Sequence, residues 1–237
     1  MSVAFEVVED PARACAALMV SAAIGGGEIV LAGGSTPKAA YEHFVDAVKA
    51  VGLNLAGSRF WMGDERCVEP DDERSNYHMM KETLIDPLAG TTTVDVERIR
   101  GELGPDAAAD DYEERLRAVG PPTFDLLLLG IGPDGHTASL FPGRPTLAER
   151  TRLVVGVPEA GLEPFVPRVT LTVPALASSQ RIVFLASGES KADAIAEAFG
   201  PDADPDPSLP ASLLAPVAKQ ITVLLDRAAA ERLGPGV

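Results

Sequence analysis

With 237 residues, 46% of them apolar, the chain can form one large α/β domain or two small ones around a substantial core. Its formal charge of −15, from 35 acidic against 20 basic residues, argues against nucleic acid, since duplex binding relies on clustered Lys and Arg to displace counterions. No apolar run approaches the roughly 20 residues a membrane helix needs, and the stretch Ala12 to Ile24 is broken by Arg13.

The opening Met1-Ser-Val-Ala-Phe-Glu6 has no basic region leading into an apolar one, so no signal peptide and a cytoplasmic protein are expected. In chain order, β-branched or leucine-rich runs predict strands over 4–8, 29–32, 59–62, 126–129, 153–157, 168–172, 181–186 and 221–225. Amphipathic, alanine-rich stretches predict helices over 11–24, 37–50, 76–84, 106–119, 189–199 and 227–233. Pro11 and Pro37 suit first helical turns, each following a candidate cap, Asp10 and Thr36. The alternation implies an α/β fold of Rossmann type, a mainly parallel sheet with helices on both faces. Residues 101–105 and 200–210 read as exposed loops rather than linkers, and with no internal repeat a single domain over 1–237 is expected.

The segment Ile29-Val-Leu-Ala-Gly33-Gly34-Ser35-Thr36-Pro37-Lys38 is a strand, a glycine turn and a helix start. Unpaired amides and the helix dipole favour an anion there, and the Ser35 and Thr36 hydroxyls add donors. The plain alternative is a helix capped by Thr36 with no ligand. The segment lacks the Walker spacing, and Pro37 stands where a serine-hydrolase elbow needs its second glycine. A second strand, Arg59-Phe-Trp-Met-Gly63, ends in Asp64-Glu65-Arg66, whose arginine suits a phosphate clamp. Lys191 follows Gly188 near a helix start; Arg168 opens another strand, and its position is equally that of a surface residue.

The most telling run is Phe124-Asp-Leu-Leu-Leu-Leu-Gly-Ile-Gly-Pro-Asp-Gly-His136, which places one histidine beyond the carboxyl end of a buried strand, where open α/β sheets bind ligands. Imidazole exchanges protons near neutrality, so His136 is a candidate general base, with Asp134 two residues before it and Gly132 allowing close backbone approach. The G-x-G-x-x-G match at Gly130-Gly132-Gly135 is set aside as a dinucleotide site, because Pro142, Gly143 and Pro145 interrupt any long helix after it. His43, His78 and His136 lie far apart at no metal-ligand spacing, and Cys15 and Cys67 form no zinc or disulfide pattern; no metal or cofactor is expected. Cys15 reads as core and Cys67 not as a nucleophile.

Together, 31–37, Phe60-Trp-Met-Gly-Asp-Glu-Arg66, Ser75-Asn-Tyr77, Gly130 to Pro142, Pro167 to Thr172 and Gly188-Glu-Ser-Lys191 closely resemble the 6-phosphogluconolactonase family, in order along nearly the whole chain. The resemblance implies the fold shared with glucosamine-6-phosphate deaminases and ribose-5-phosphate isomerases, and a cofactor-free hydrolase of the oxidative pentose phosphate pathway. The deaminases share the glycine-histidine core but continue towards Phe-Asn-Glu-Pro; Phe141 stands where that pattern carries its glutamate, which favours the lactonase. The alternatives are a deaminase or isomerase of sugar phosphates, or a sensor that retains the pocket without catalysis.

The implied substrate is a phosphorylated sugar lactone, with Gly33, Gly34, Ser35, Thr36, Asp64 and Arg66 at its phosphate end and Lys191 or Arg168 assisting. His136 would activate water, the glycine-turn amides would hold the oxyanion, and Asp134 would either orient the imidazole or contact sugar hydroxyls. No oligomer is required by this scheme.

Overall fold

The computed structural model describes residues 3–120 and 123–234; residues 1, 2 and 235–237, the ends of the expected domain, lie outside them. Strands β1 (Val3–Val7), β2 (Glu28–Leu31), β3 (Arg59–Met62), β5 (Asp95–Glu97), β6 (Leu126–Leu129), β9 (Arg181–Ala186) and β10 (Ile221–Leu225) form one sheet in the order β1-β10-β9-β6-β2-β3-β5. Every pairing in it is parallel. Burial of both faces explains why β6 is four leucines in succession, all buried.

Helix α1 (Pro11–Ile24) begins as the sequence predicts, with Asp10 Oδ1 accepting from the Arg13 amide at 3.0 Å. Helix α2 (Ser35–Val51) does not begin at a Thr36 cap. It starts two residues earlier, capped by Gly34 at φ +112°, a conformation that glycine alone adopts freely, and this leaves Thr36 inside the first turn. The two helices pack on each other, and α1 lies against β2, β9 and β10.

The expected single sheet is corrected in one respect. Strand β4 (Asp64–Arg66) pairs antiparallel with β8 (Arg168–Leu171), which pairs antiparallel with β7 (Val154–Val157), as a separate three-stranded sheet. Only a loop joins β7 to β8, and a parallel return needs a crossover of about a dozen residues or more. The short edge strand β5 is an addition to the expected set: Val94 and Val96 alternate with Asp95 and Glu97, but the run is too short to mark a strand by period alone.

Helix α3 (Asn76–Met80) runs through a wide turn at Lys81–Ile85 into α4 (Asp86–Leu88), and α5 (Pro105–Ala118) packs on β7 and β8. Residues 101–105 are not an exposed loop throughout. Gly101 is buried in a short 3-10 turn, and a Cβ there would stand 2.3 Å from the Arg66 carbonyl. After α6 (Val173–Ala177), the expected helix over 189–199 is a 3-10 turn at Glu189–Lys191 followed by α7 (Ala192–Phe199). Residues 227–233 form successive turns capped by Asp226, which accepts from the Ala229 amide at 2.7 Å; so short a segment does not propagate a helix.

Candidate functional site

The chain leaves β2 towards β3 on one side of the sheet, while β6, β9 and β10 lie on the other, so the strand order reverses between β2 and β6. Such switch points open a crevice at the carboxyl ends of the strands. A cleft of about 250 Å³ lies there, formed by the turns that follow β2, β3, β6 and β9 and by Arg168 of β8.

At one end stands His136. Its Nδ1 is 2.6 Å from Asp134 Oδ1, and the same oxygen accepts from the His136 amide at 3.3 Å. A Cβ on Gly132 would stand 2.0 Å from that Nδ1, and Phe141 packs its ring 4.9 Å from the imidazole centroid. The ring is clamped between a bare backbone and an aromatic plate, with its side chain 18% exposed. Nε2 makes no hydrogen bond among the described residues. Burial raises the Asp134 carboxyl pKa, but its hydrogen bonds and the charge of His136 more than offset this and hold it below the ordinary carboxylate range.

One part of the sequence expectation is corrected here. The Gly132 amide donates to the His136 carbonyl at 2.8 Å and the Gly135 amide to the Gly132 carbonyl at 3.0 Å. Both are committed to closing the turn and are not free to hold an oxyanion.

At the other end the cleft is lined by Gly33, Gly34, Ser35 and Thr36, with Arg66, Arg168 and Lys191 around them. The amides of Gly34, Ser35 and Thr36 have no partner among the described residues, as expected for the first turn of a helix. Arg168 is not a surface residue: it is 4% exposed, with Nη2 donating to the carbonyls of Leu162 at 3.3 Å and Pro164 at 2.9 Å. Its guanidinium lies 5.9 Å over the Phe141 ring. Burial pushes its pKa below the usual arginine value, and the charge of Arg66 acts in the same direction. Burial likewise lowers Lys191, which the Asp134 charge partly opposes. Arg66 donates to the Arg74 carbonyl, and Arg66 and Arg168 each keep a buried Nε–H with no protein partner among the described residues. Three cations with spare donors in one cleft favour an anion.

Between the ends, Asp64 is a buried anchor. Its Oδ2 accepts from Ser139 Oγ at 2.6 Å and its Oδ1 from Asn76 Nδ2 at 3.2 Å. Ala138, at φ +48°, turns the chain so that Ser139 reaches it. Asn76 fits against Gly33, where a Cβ would meet its Oδ1 at 2.1 Å. Sequence reasoning attached no role to Asn76, Ser139, Glu65 or the packing of Phe141, although all four fall in or beside the segments that carry the family resemblance.

The remaining candidates stay apart from the cleft. His43 and His78 pair with Asp10 at 3.4 Å and Glu82 at 3.6 Å, and burial pushes the Cys67 thiol up to about 11, which disfavours the thiolate. Among the described residues no helix is long and apolar enough to cross a membrane.

A family profile described as glucosamine-6-phosphate isomerases/6-phosphogluconolactonase matches residues 4–223. A 6-phosphogluconolactonase of Synechocystis is 37% identical over 245 residues, covering 97% of this chain and 95% of the relative. The human 6-phosphogluconolactonase is 38% identical over 208 residues, covering 86% of this chain and 79% of its own. Among solved structures, 6-phosphogluconolactonase from Trypanosoma brucei aligns with a TM-score of 0.82 at 28% identity, over 98% of this chain and 99% of that one. A monomeric glucosamine-6-phosphate deaminase shares the fold, with a TM-score of 0.80 at 24% identity over 98% and 100% of the two chains.

Proposed function

The chain belongs to the glucosamine-6-phosphate isomerase/6-phosphogluconolactonase family, and within it we propose that this protein hydrolyses 6-phospho-D-glucono-1,5-lactone to 6-phosphogluconate. The observation that carries this reading is a single cleft with an oriented imidazole at one end and three cations beside free helix amides at the other.

In this scheme the phosphate docks on the turn Gly33 to Thr36 and on Arg66, Arg168 and Lys191. Holding the remote phosphate orients the lactone carbonyl beside Nε2 of His136, so binding energy is used at the reacting carbon. Nε2 takes a proton from water as the water oxygen bonds to C1. The tetrahedral intermediate then breaks its bond from C1 to the ring oxygen, and that oxygen receives the proton back from Nε2. Asp134 holds the imidazole through Nδ1, keeping the proton there and Nε2 free to accept. Asp64, bonded to Ser139 and Asn76, serves as a structural tie between the two ends rather than a proton carrier.

The test is hydrolysis of freshly prepared phosphorylated lactone against the unphosphorylated lactone. A preference of about 10²-fold or more in kcat/KM for the phosphorylated form is expected from anchoring of this kind. Equal rates would refute the anion end. Ammonia release from glucosamine 6-phosphate would favour deamination instead; none is expected, because the apolar Phe141 packs beside His136 where a second proton carrier would be needed.

A further inference from the structure

Strands β2 and β6 part before either ends. Their register pairs are Ile29 with Leu126 and Val30 with Leu127, yet β2 runs to Leu31 and β6 to Leu129. The Glu28 carbonyl accepts from Asp125 on the β6 side, whereas the carbonyls of Gly27 and Leu31 accept from Arg59 and Gly63 on the β3 side. Backbone groups alternate sides along a strand, so the N–H and C=O of Ala32 face the β6 side, one step beyond the last pair.

The hydroxyl of Tyr41, on α2, takes that place. It donates to the Ala32 carbonyl at 2.7 Å and accepts from the Ala32 amide at 2.9 Å. The side chain is fully buried, and burial keeps its phenol well above the ordinary range, so it remains a donor and an acceptor at once. Gly33, Gly34, Ser35 and Thr36 follow directly.

We propose that Tyr41 is a positioning residue for the anion end of the cleft: its hydroxyl stands in for a strand partner at Ala32, keeps β2 and β6 apart, and holds the Gly33–Thr36 turn in register with the phosphate. The inference rests on reading that turn as a phosphate site. Without the hydroxyl, either the two strands pair one step further and narrow the crevice, or two buried backbone groups lose their partner.

Tyr112 of α5 supplies a matched control. It donates to the Met62 carbonyl at 3.1 Å and accepts from the Met62 amide at 2.7 Å, is equally buried, and acts at the seam where β3 and β5 stop pairing at Trp61 and Glu97. Arg66 beyond it is held independently by the β4–β8 ladder.

The experiment compares the full-length protein with Tyr41→Phe and Tyr112→Phe by thermal unfolding, titration with inorganic phosphate, and kinetics on both lactones. Both variants should lose similar Tm. Only Tyr41→Phe should weaken phosphate binding and raise KM for the phosphorylated lactone, by about tenfold, with kcat/KM on the unphosphorylated lactone within about twofold of the parent. Unchanged phosphate affinity in Tyr41→Phe, or an equal loss in Tyr112→Phe, overturns the proposal. Amide hydrogen exchange on the unmutated protein needs no variant: phosphate should slow Ala32 together with Ser35 and Thr36, and slowing of the latter two alone overturns it. A parent protein that binds phosphate but opens no lactone refutes the lactonase reading and leaves the Tyr41 result standing; one that binds no phosphate refutes both.

Discussion

Arg66 and Arg168 stand directly opposite each other on the antiparallel β4–β8 ladder. Like charges at opposed positions destabilise a sheet, by roughly 0.2–1 kcal/mol, and an anion between the two guanidinium groups reverses the sign. Inorganic phosphate is therefore expected to raise Tm, corresponding to about 2.7 kcal/mol at a concentration of about 100 times Kd. Arg168→Met should weaken phosphate binding and increase KM for the phosphorylated lactone, each about tenfold or more, and so remove about half of that rise or more. Thermal unfolding with and without phosphate checks this, and an undiminished rise in the variant would count against the pair as an anion site.

Replacing His136 by Asn should lower kcat by about 10²–10⁴-fold with little change in KM, since the ring is assigned to proton transfer rather than to phosphate binding. Gly132→Ala tests the clamp from the other side. Gly132 is not in the left-handed region, so its backbone tolerates alanine, but the added Cβ would stand 2.0 Å from His136 Nδ1. A well-folded Gly132→Ala protein with most of its kcat intact would show that the ring's placement does not matter.

Asp134 predicts a specific dependence on pH. Its pKa in the folded protein lies below the unfolded value of about 3.9, so its ionised form contributes stability that is fully present above that value and is lost as pH falls through the folded pKa. Asp134→Asn should be less stable than the parent at neutral pH, and the difference should shrink as the medium is acidified below about pH 4. Denaturation midpoints measured from pH 7 to pH 3 decide it; a constant gap would contradict the assignment. Turnover in the same variant should fall roughly 10²-fold, because the imidazole loses the partner that selects its tautomer.

Glu65 is buried and accepts four hydrogen bonds, from the amides of Arg66 at 2.6 Å, Asn76 at 2.7 Å and Tyr77 at 2.8 Å and from Ser75 Oγ at 2.9 Å. Burial raises its pKa, and the four donors pull it down less than burial lifts it. Glu65→Gln would turn an N–H₂ group towards N–H donors, at a cost of about 2 kcal/mol in stability. It should also raise KM, since Arg66 and Asn76 both line the cleft. Urea unfolding at unchanged m-value measures the first effect; a variant as stable as the parent would show that the carboxylate is not needed there.

Most strands of the main sheet were legible because burial on two faces leaves a local mark, as in Leu126–Leu129, and the glycine turn bearing His136 could be read from its own turn residues. The second sheet was not legible, since a three-residue strand such as Asp64–Arg66 has too few positions to show a period, and its partner lies about a hundred residues away. Thr36 was mistaken for a cap because its residue type suits one, whereas Gly34 has the conformation the turn requires. Asn76 and Ser139 escaped assignment because their side chains matter through tertiary contacts with Asp64, which for Ser139 span 75 positions.

By itself, the sequence determined the longer buried strands and the longer helices, where the glycine turns fall and which residue types stand at them. Periodicity and turn chemistry are properties of neighbouring residues, so they survive in one dimension. Only the tertiary structure decided that Arg66 faces Arg168, that Phe141 touches both His136 and Arg168, and that the Tyr41 hydroxyl sits where β2 and β6 separate. Those relationships depend on how elements cross in space, and close packing admits one arrangement of side chains that no local pattern records.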